Sequence, residues 1–181
     1  MGDSLITVIA IFLAAILMFV FPLMSVSERT DDIAELAIQT ATTDFVDEVR
    51  TRGVLTMDRY DAFVQTLAAT GNSYDVEMEA QILDENPGVK TTQAETTKIG
   101  ENVYYNLYTS QIEEKIGVGT GSVNSSHVLK FKEGDRFSVT VKNTNTTIAQ
   151  TLKNFFYRLT GNDTYQIAAQ YAGIVTVNGT K

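Results

Sequence analysis

Leu5-Ile6-Thr7-Val8-Ile9-Ala10-Ile11-Phe12-Leu13-Ala14-Ala15-Ile16-Leu17-Met18-Phe19-Val20-Phe21-Pro22-Leu23-Met24 is a run of twenty residues without a charge, interrupted only by Thr7 and Pro22. As an α-helix it reaches about 30 Å, the thickness of the hydrocarbon core of a bilayer. The helices of a soluble core rarely run so far without a polar face. The run therefore reads as a membrane anchor, and it divides the composition in two. Over all 181 residues the chain carries 14 Lys and Arg against 22 Asp and Glu, with 44% hydrophobic content and a mean hydropathy of −0.04, values of an ordinary soluble domain. Every one of those charges lies outside the run. The average thus conceals an apolar segment and a hydrophilic remainder large enough for one water-soluble domain.

A cleaved signal peptide is the rival reading. The preceding Met-Gly-Asp-Ser carries Asp3 and no basic residue. The run is longer than the usual apolar region of about 7–15 residues, and Ser25-Val26-Ser27 is only a weak cleavage site. Retention as a single-pass anchor is the preferred expectation. Of the two sides, Arg29 alone offers a nearby positive charge, which slightly opposes placing the C-terminal part outside. The Thr- and Asn-rich, acidic, Cys-free composition of that part favours the exterior, and an extracytoplasmic domain is expected.

The helix does not stop at Met24. Val26, Ile33, Leu36, Ala37, Ala41, Phe45 and Val49 recur at spacings near three to four, which predicts an amphipathic helix whose stripe packs on the domain. Asp31, Asp32 and Glu35 mark either a fresh helix start capped by Thr30 or the polar face of one continuous helix. Pro22 removes one backbone hydrogen bond and is expected to kink the helix rather than end it. Gly53 is the natural stop. The expected organisation is a transmembrane or filament-core helix over 1–25 and an α+β head over 26–181, with 26–53 continuing the helix.

Thr56 is expected to cap a second helix to about Ala69, with Tyr60, Phe63, Val64 and Leu67 as its stripe and Gly71 as its stop. Tyr74 to Leu83 alternates strictly and predicts a strand. Asn86-Pro87-Gly88 reads as a turn and Lys90 to Lys98 as a polar loop. Tyr104, Tyr108, Ile112 and Ile116 suggest a third helix over Glu101 to Ile116. Val128 to Lys132 and Arg136 to Asn143 suggest a hairpin across Glu133-Gly134-Asp135. Ile148, Leu152, Phe155 and Leu159 suggest a fourth helix, ended by Gly161, and Tyr165 to Val177 a last strand. Arg136 to Val177 is a possible crossover unit. The fold class is α+β: a long N-terminal helix, then a head in which a small antiparallel or mixed sheet is packed by helices.

Composition bears on chemistry as well. With no Cys, disulfides, thiolate metal sites and Cys nucleophiles are excluded. A single His, His127, excludes a multi-His metal centre; it sits after Ser125-Ser126, and an ordinary loop or strand-edge role fits it best. The net charge of −8 argues against nucleic acid and anionic lipid surfaces as main partners. Gly117-Val118-Gly119-Thr120-Gly121 follows a helix and lacks a downstream Gly-Lys-Ser/Thr, so it reads as a linker and not a phosphate loop. Asp58 with Asp61, and Asp84 with Glu85, lack calcium-loop spacing and read as solvated charges. The Asn-x-Ser/Thr sites at Asn124, Asn145, Asn162 and Asn178 matter only in a glycosylating host. No set of residues supports catalysis, and no cofactor or metal is implied.

An uncharged N-terminal helix with a Pro near its end, running on as an amphipathic rod under an α+β head, resembles the type IV pilin superfamily. Within it, Phe45-Val46-Asp47-Glu48-Val49-Arg50-Thr51-Arg52-Gly53-Val54-Leu55-Thr56, followed by Tyr60, Gly71-Asn72 and Tyr74-Asp75-Val76-Glu77, resembles small surface proteins of Gram-positive bacteria associated with tight-adherence-type pilus loci. The resemblance implies a structural subunit held in the membrane and then assembled into a surface filament. Its partners would be membrane lipid, other copies or related pilins, and pilus assembly machinery. Leu5, Ile9, Ala10, Phe12, Leu13, Ala14, Ile16, Leu17, Phe19 and Val20 would form the lipid-facing and filament-core surface. The chain departs from the family pattern in that no basic residue precedes Gly2, which would end such a leader, and no Glu occurs between Leu5 and Met24. The other expectation is a membrane-anchored binding or assembly module that never polymerises.

Overall fold

The computed structural model describes residues 2–84, 104–119, 127–146, 150, 151, 154, 158 and 168–179. The element order is α1 (Gly2–Arg52), β1 (Val54–Thr56), α2 (Met57–Ala68), β2 (Tyr74–Leu83), β3 (Tyr104–Tyr108), α3 (Thr109–Ile116), β4 (Val128–Lys130), β5 (Arg136–Asn143) and β6 (Ala168–Ile174). The fold is α+β. Two compact units divide it: residues 1–36 with 145–167, and residues 37–144 with 168–181.

In the first unit, α1 is helical from Gly2 and stays helical through Pro22. The Thr30 hydroxyl donates to the Val26 carbonyl one turn back, so it serves the ladder of a continuous helix and caps no new one. Asp31, Ala34 and Gln150 are the buried residues of this unit among those described. Gln150, Thr151, Asn154 and Arg158 are helical. Ile148, Leu152, Phe155, Leu159 and Gly161, on which the expected fourth helix turns, lie outside the described residues.

The second unit is built on an antiparallel sheet of order β3-β2-β5-β6, beside a two-stranded β1-β4 ladder. β2 forms where the alternation from Tyr74 to Leu83 predicts a strand. Its register with β5 sets Met78 against Val139 and Ala80 against Phe137 on the covered face. Ala169 of β6 joins them, and the side chains of Ile38, Phe45, Val46 and Val49 from α1, Phe63 from α2 and Ile112 and Ile116 from α3 are buried in the same core. Phe45 joins the layers, with its ring stacked on Phe63 at 4.3 Å and edge-on to Phe137 at 6.0 Å. The other face of the sheet is polar. Lys142 pairs there with Glu77 at 2.7 Å, and the Arg136 guanidinium lies 5.1 Å from the centre of the Tyr104 ring.

Several expectations give way to this architecture. The helix foreseen over Glu101 to Ile116 begins only at Thr109; Tyr104 to Tyr108 is strand β3, paired from Tyr104↔Leu83 to Tyr108↔Glu79. Two tyrosines four apart fit a helix and a strand alike. The ladder with β2 and the aromatic composition decide for the strand. At its end the Thr109 hydroxyl donates to the Met78 carbonyl and accepts from the Met78 N–H, replacing a ladder partner as the chain turns into α3.

The foreseen hairpin does not form either. β4 pairs with β1 in the register Val54↔Lys130, Leu55↔Leu129 and Thr56↔Val128, while β5 pairs with β2 and β6. Asp135 is the reason. Its carboxylate is buried and accepts the N–H of Lys132 at 2.7 Å and that of Leu83 at 2.8 Å, closing a tight corner that sends Phe131 back to the Gly53 carbonyl. A crossover from Arg136 to Val177 is also overturned, since β5 and β6 are adjacent and antiparallel. Gly117 is the left-handed cap of α3 and no linker residue, with the Val118 N–H bonded to the Glu113 carbonyl; Thr120 and Gly121 lie outside the described residues. So do the 86–88 turn, the 90–98 loop, Glu85, Asn124, Asn162 and Tyr165 to Ile167.

Candidate functional site: the apolar segment of α1 and the surfaces of the second unit

The segment from Leu5 to Met24 lies within α1, and none of its most apolar stretch is buried. Leu5, Ile9, Phe12, Leu13, Ile16, Leu17 and Phe19 are all exposed, as are Ala10 and Ala14; Val20 is half-buried. Covering each large side chain is worth about 1.5–3 kcal/mol, so a dozen of them left in water would forfeit on the order of 20–30 kcal/mol. Such a surface belongs in lipid or against other protein. The helix is long and apolar enough to span a membrane. Pro22 sits inside it without ending it.

The continuing stripe is rotated from its sequence-predicted position. Phe45 and Val49 are buried and Ala41 is half-buried, but Val26, Ile33 and Leu36 are 64–70% exposed and Ala37 is exposed too. The buried line runs instead through Asp31, Ala34, Ile38, Thr42, Phe45 and Val49. Two polar residues on that line hid it from a reading by hydrophobicity. Thr42 is tolerated because its hydroxyl donates to the Ile38 carbonyl at 2.6 Å, leaving a small, satisfied side chain.

The C-terminal end of α1 is fixed to the sheet. Gly53, at φ +66°, closes the helix, and a Cβ there would collide with the Val177 carbonyl and the Gly179 backbone. The Gly53 carbonyl accepts from Phe131 at 2.8 Å, and the Phe131 carbonyl from Gly179 at 2.9 Å. Arg50 reaches β6, with its Nε donating to the Ile174 carbonyl at 3.1 Å and its Nη1 to Asp47 at 2.8 Å.

Two open hollows mark the second unit. One of about 400 Å³ lies between α1 and α2, floored by Phe45 and Phe63 and rimmed by Asp44, Glu48, Asp58 and Arg59; Arg59 is ion-paired with Glu48 across it. The other, of about 410 Å³, lies among Ile82, Tyr105, Leu107, Lys115 and Lys130. Tyr60, buried in α2, donates its hydroxyl to Glu113 at 2.8 Å; burial first, and this carboxylate second, push the phenol far above its usual range. His127 packs its half-buried ring over Gly117 just before β4. Among the described residues no group of three or more His, Asp or Glu is placed to hold a metal ion. Compared with family models, curated proteins and solved structures, the chain matches none.

Proposed function

We propose that this chain is a structural, pilin-like or minor pilin-like subunit of a bacterial surface filament. The observation that carries the reading is an uncharged helical segment with no buried residue that runs without interruption into a helix built into an α+β head. The segment meets two apolar environments in turn. As a monomer it lies in lipid with its head outside the cell. On assembly the same side chains pack against neighbouring copies, and Ala10, Ala14 and Ala15 let helix backbones approach closely.

A lysine at Ile9 or Leu13 places a charge where both environments reject it, at a cost of about 2.5–3.5 kcal/mol per residue in lipid. Such variants are expected to lose filaments while the head keeps its folded amide-exchange pattern. Immuno-electron microscopy of sheared surface material reads the outcome, with label along fibres for the parent chain and none for the variants. Fibres that persist with a buried lysine would overturn the proposal. Label confined to membranes would assign the chain instead to a non-polymerising, membrane-anchored binding or assembly module.

A further inference from the structure

Among the described residues, no strand covers the outer edge of β6. Val175 directs its N–H to the Asp135 carbonyl and its carbonyl to the Gly134 N–H, so it faces β5. By the alternation of an antiparallel strand, 173, 171 and 169 face β5 as well, and the backbone groups of Ala168, Gln170, Ala172 and Ile174 point away from the sheet. At the C-terminal end of this edge Arg50 takes two of the outward groups. Arg50 donates to the Ile174 carbonyl, and its own carbonyl accepts from Thr176. Gly173 makes room for the Arg50 stem, which a Cβ would strike. At Ala168, Gln170 and Ala172 no further strand is present among the described residues, and all three side chains are exposed.

Exposed edges are ordinarily blunted by lysine, proline or a bulge. Here there is no charged residue and no proline between Asp163 and Lys181, and β6 pairs with β5 in one unbroken register. The edge is also self-complementary. With Arg50 closing it beyond Ala172, the free stretch among the described residues, Ala168 to Ala172, is centred on Gln170. Two copies related by a two-fold axis there would set Ala168 against Ala172 of the other copy, and Gln170 against Gln170. The small alanines leave the seam uncrowded, the facing amides can bond each other, and no like charges oppose. We propose that two copies of this chain pair antiparallel through β6 about Gln170, joining their sheets edge to edge. The pairing uses residues of the second unit alone and requires no filament.

The absence of Cys makes the test clean. In such a pair the two Gln170 Cα atoms would lie about 5.5 Å apart, inside the range that a disulfide bridges. Full-length Gln170→Cys, in detergent micelles under mild oxidation, is expected to form dimers at least about tenfold faster than Ser110→Cys on the exposed face of α3, because pairing raises the effective concentration of the facing thiols. Ala168→Cys mixed with Ala172→Cys should cross-link, whereas Ala168→Cys alone should not. Adding Gln170→Lys to that mixture should abolish the cross-link and speed exchange of the 168, 170 and 172 amides. Equal rates for Gln170→Cys and Ser110→Cys would overturn the pairing, as would cross-linking of Ala168→Cys to itself, which places another register or another surface at the contact.

Discussion

The rings of Phe45 and Phe63 lie 4.3 Å apart with their planes 3° from parallel. This one contact joins α1 to α2, and through Phe137 it joins both to the sheet. Phe45→Ala removes the middle of three rings and leaves a cavity that two helices and a sheet cannot close together. A loss of about 3–5 kcal/mol is expected from urea denaturation in micelles. Phe45→Leu, which keeps most of the volume, should lose about half as much.

The buried Asp135 carboxylate holds two backbone donors, one from Lys132 three residues before it and one from Leu83 at the end of β2. Asp135→Ala would leave the N–H of half-buried Leu83 and that of Lys132, on an exposed residue, without this acceptor; a buried donor left unsatisfied costs about 1–3 kcal/mol, so a total of about 1–3 kcal/mol is expected, most of it at Leu83. Asp135→Asn keeps one acceptor and should lose roughly half of that. Amide exchange checks the cause, since the Leu83 and Lys132 amides should lose protection before the centre of β2 does.

Gly53 and Gly71 both have positive φ, at +66° and +80°, but only Gly53 is crowded by backbone. Gly71→Ala meets nothing nearby and should cost about 1 kcal/mol for the left-handed conformation alone. Gly53→Ala must also displace the 177–179 segment, and a loss of about 3 kcal/mol or more is expected. Equal losses would show that the crowding at Gly53 relaxes freely.

Tyr60 gives stability a dependence on alkali. Its phenol titrates higher in the folded chain than the unperturbed value of about 10. Above that pH the unfolded chain releases this proton while the folded chain keeps it, so the unfolded state binds fewer protons and stability falls as pH rises. The contribution is whole below pH 10 and is lost progressively above it. Tyr60→Phe should remove this part of the slope. Urea midpoints between about pH 8 and 11 for the two proteins should therefore converge as pH increases.

What the sequence disclosed follows from how local each signal is. The apolar run and β2 were legible because a single period or a single composition governs each one. Gly71, read as the stop of α2, lies in the turn that follows it. Tyr60, Phe63 and Leu67 are buried as their spacing implies, while Val64 is exposed. The partner of β4 was not legible, because it depends on a buried aspartate whose two donors lie 3 and 52 residues away. Nor was the face of α1 that packs, because Asp31 and Thr42 occupy it while Val26, Ile33 and Leu36 face outward. Hydrophobicity marks which side chains shun water but says nothing of which polar ones a fold can satisfy inside. The edge of β6 could have been suspected from its long uncharged stretch, yet the exposure of Gln170 and the reach of Arg50 depend on tertiary contacts, the latter across 124 residues of chain.

The clasp around Gly53 also has a mechanical meaning. Beyond Arg52 the chain turns once and is at once bonded to Phe131, which is bonded in turn to Gly179, while Arg50 holds Thr176. A pull transmitted along α1 therefore meets no slack tether. It is divided immediately among the end of the helix, the segment after β4 and the last residues of the chain, and all three must part before the helix can be drawn free.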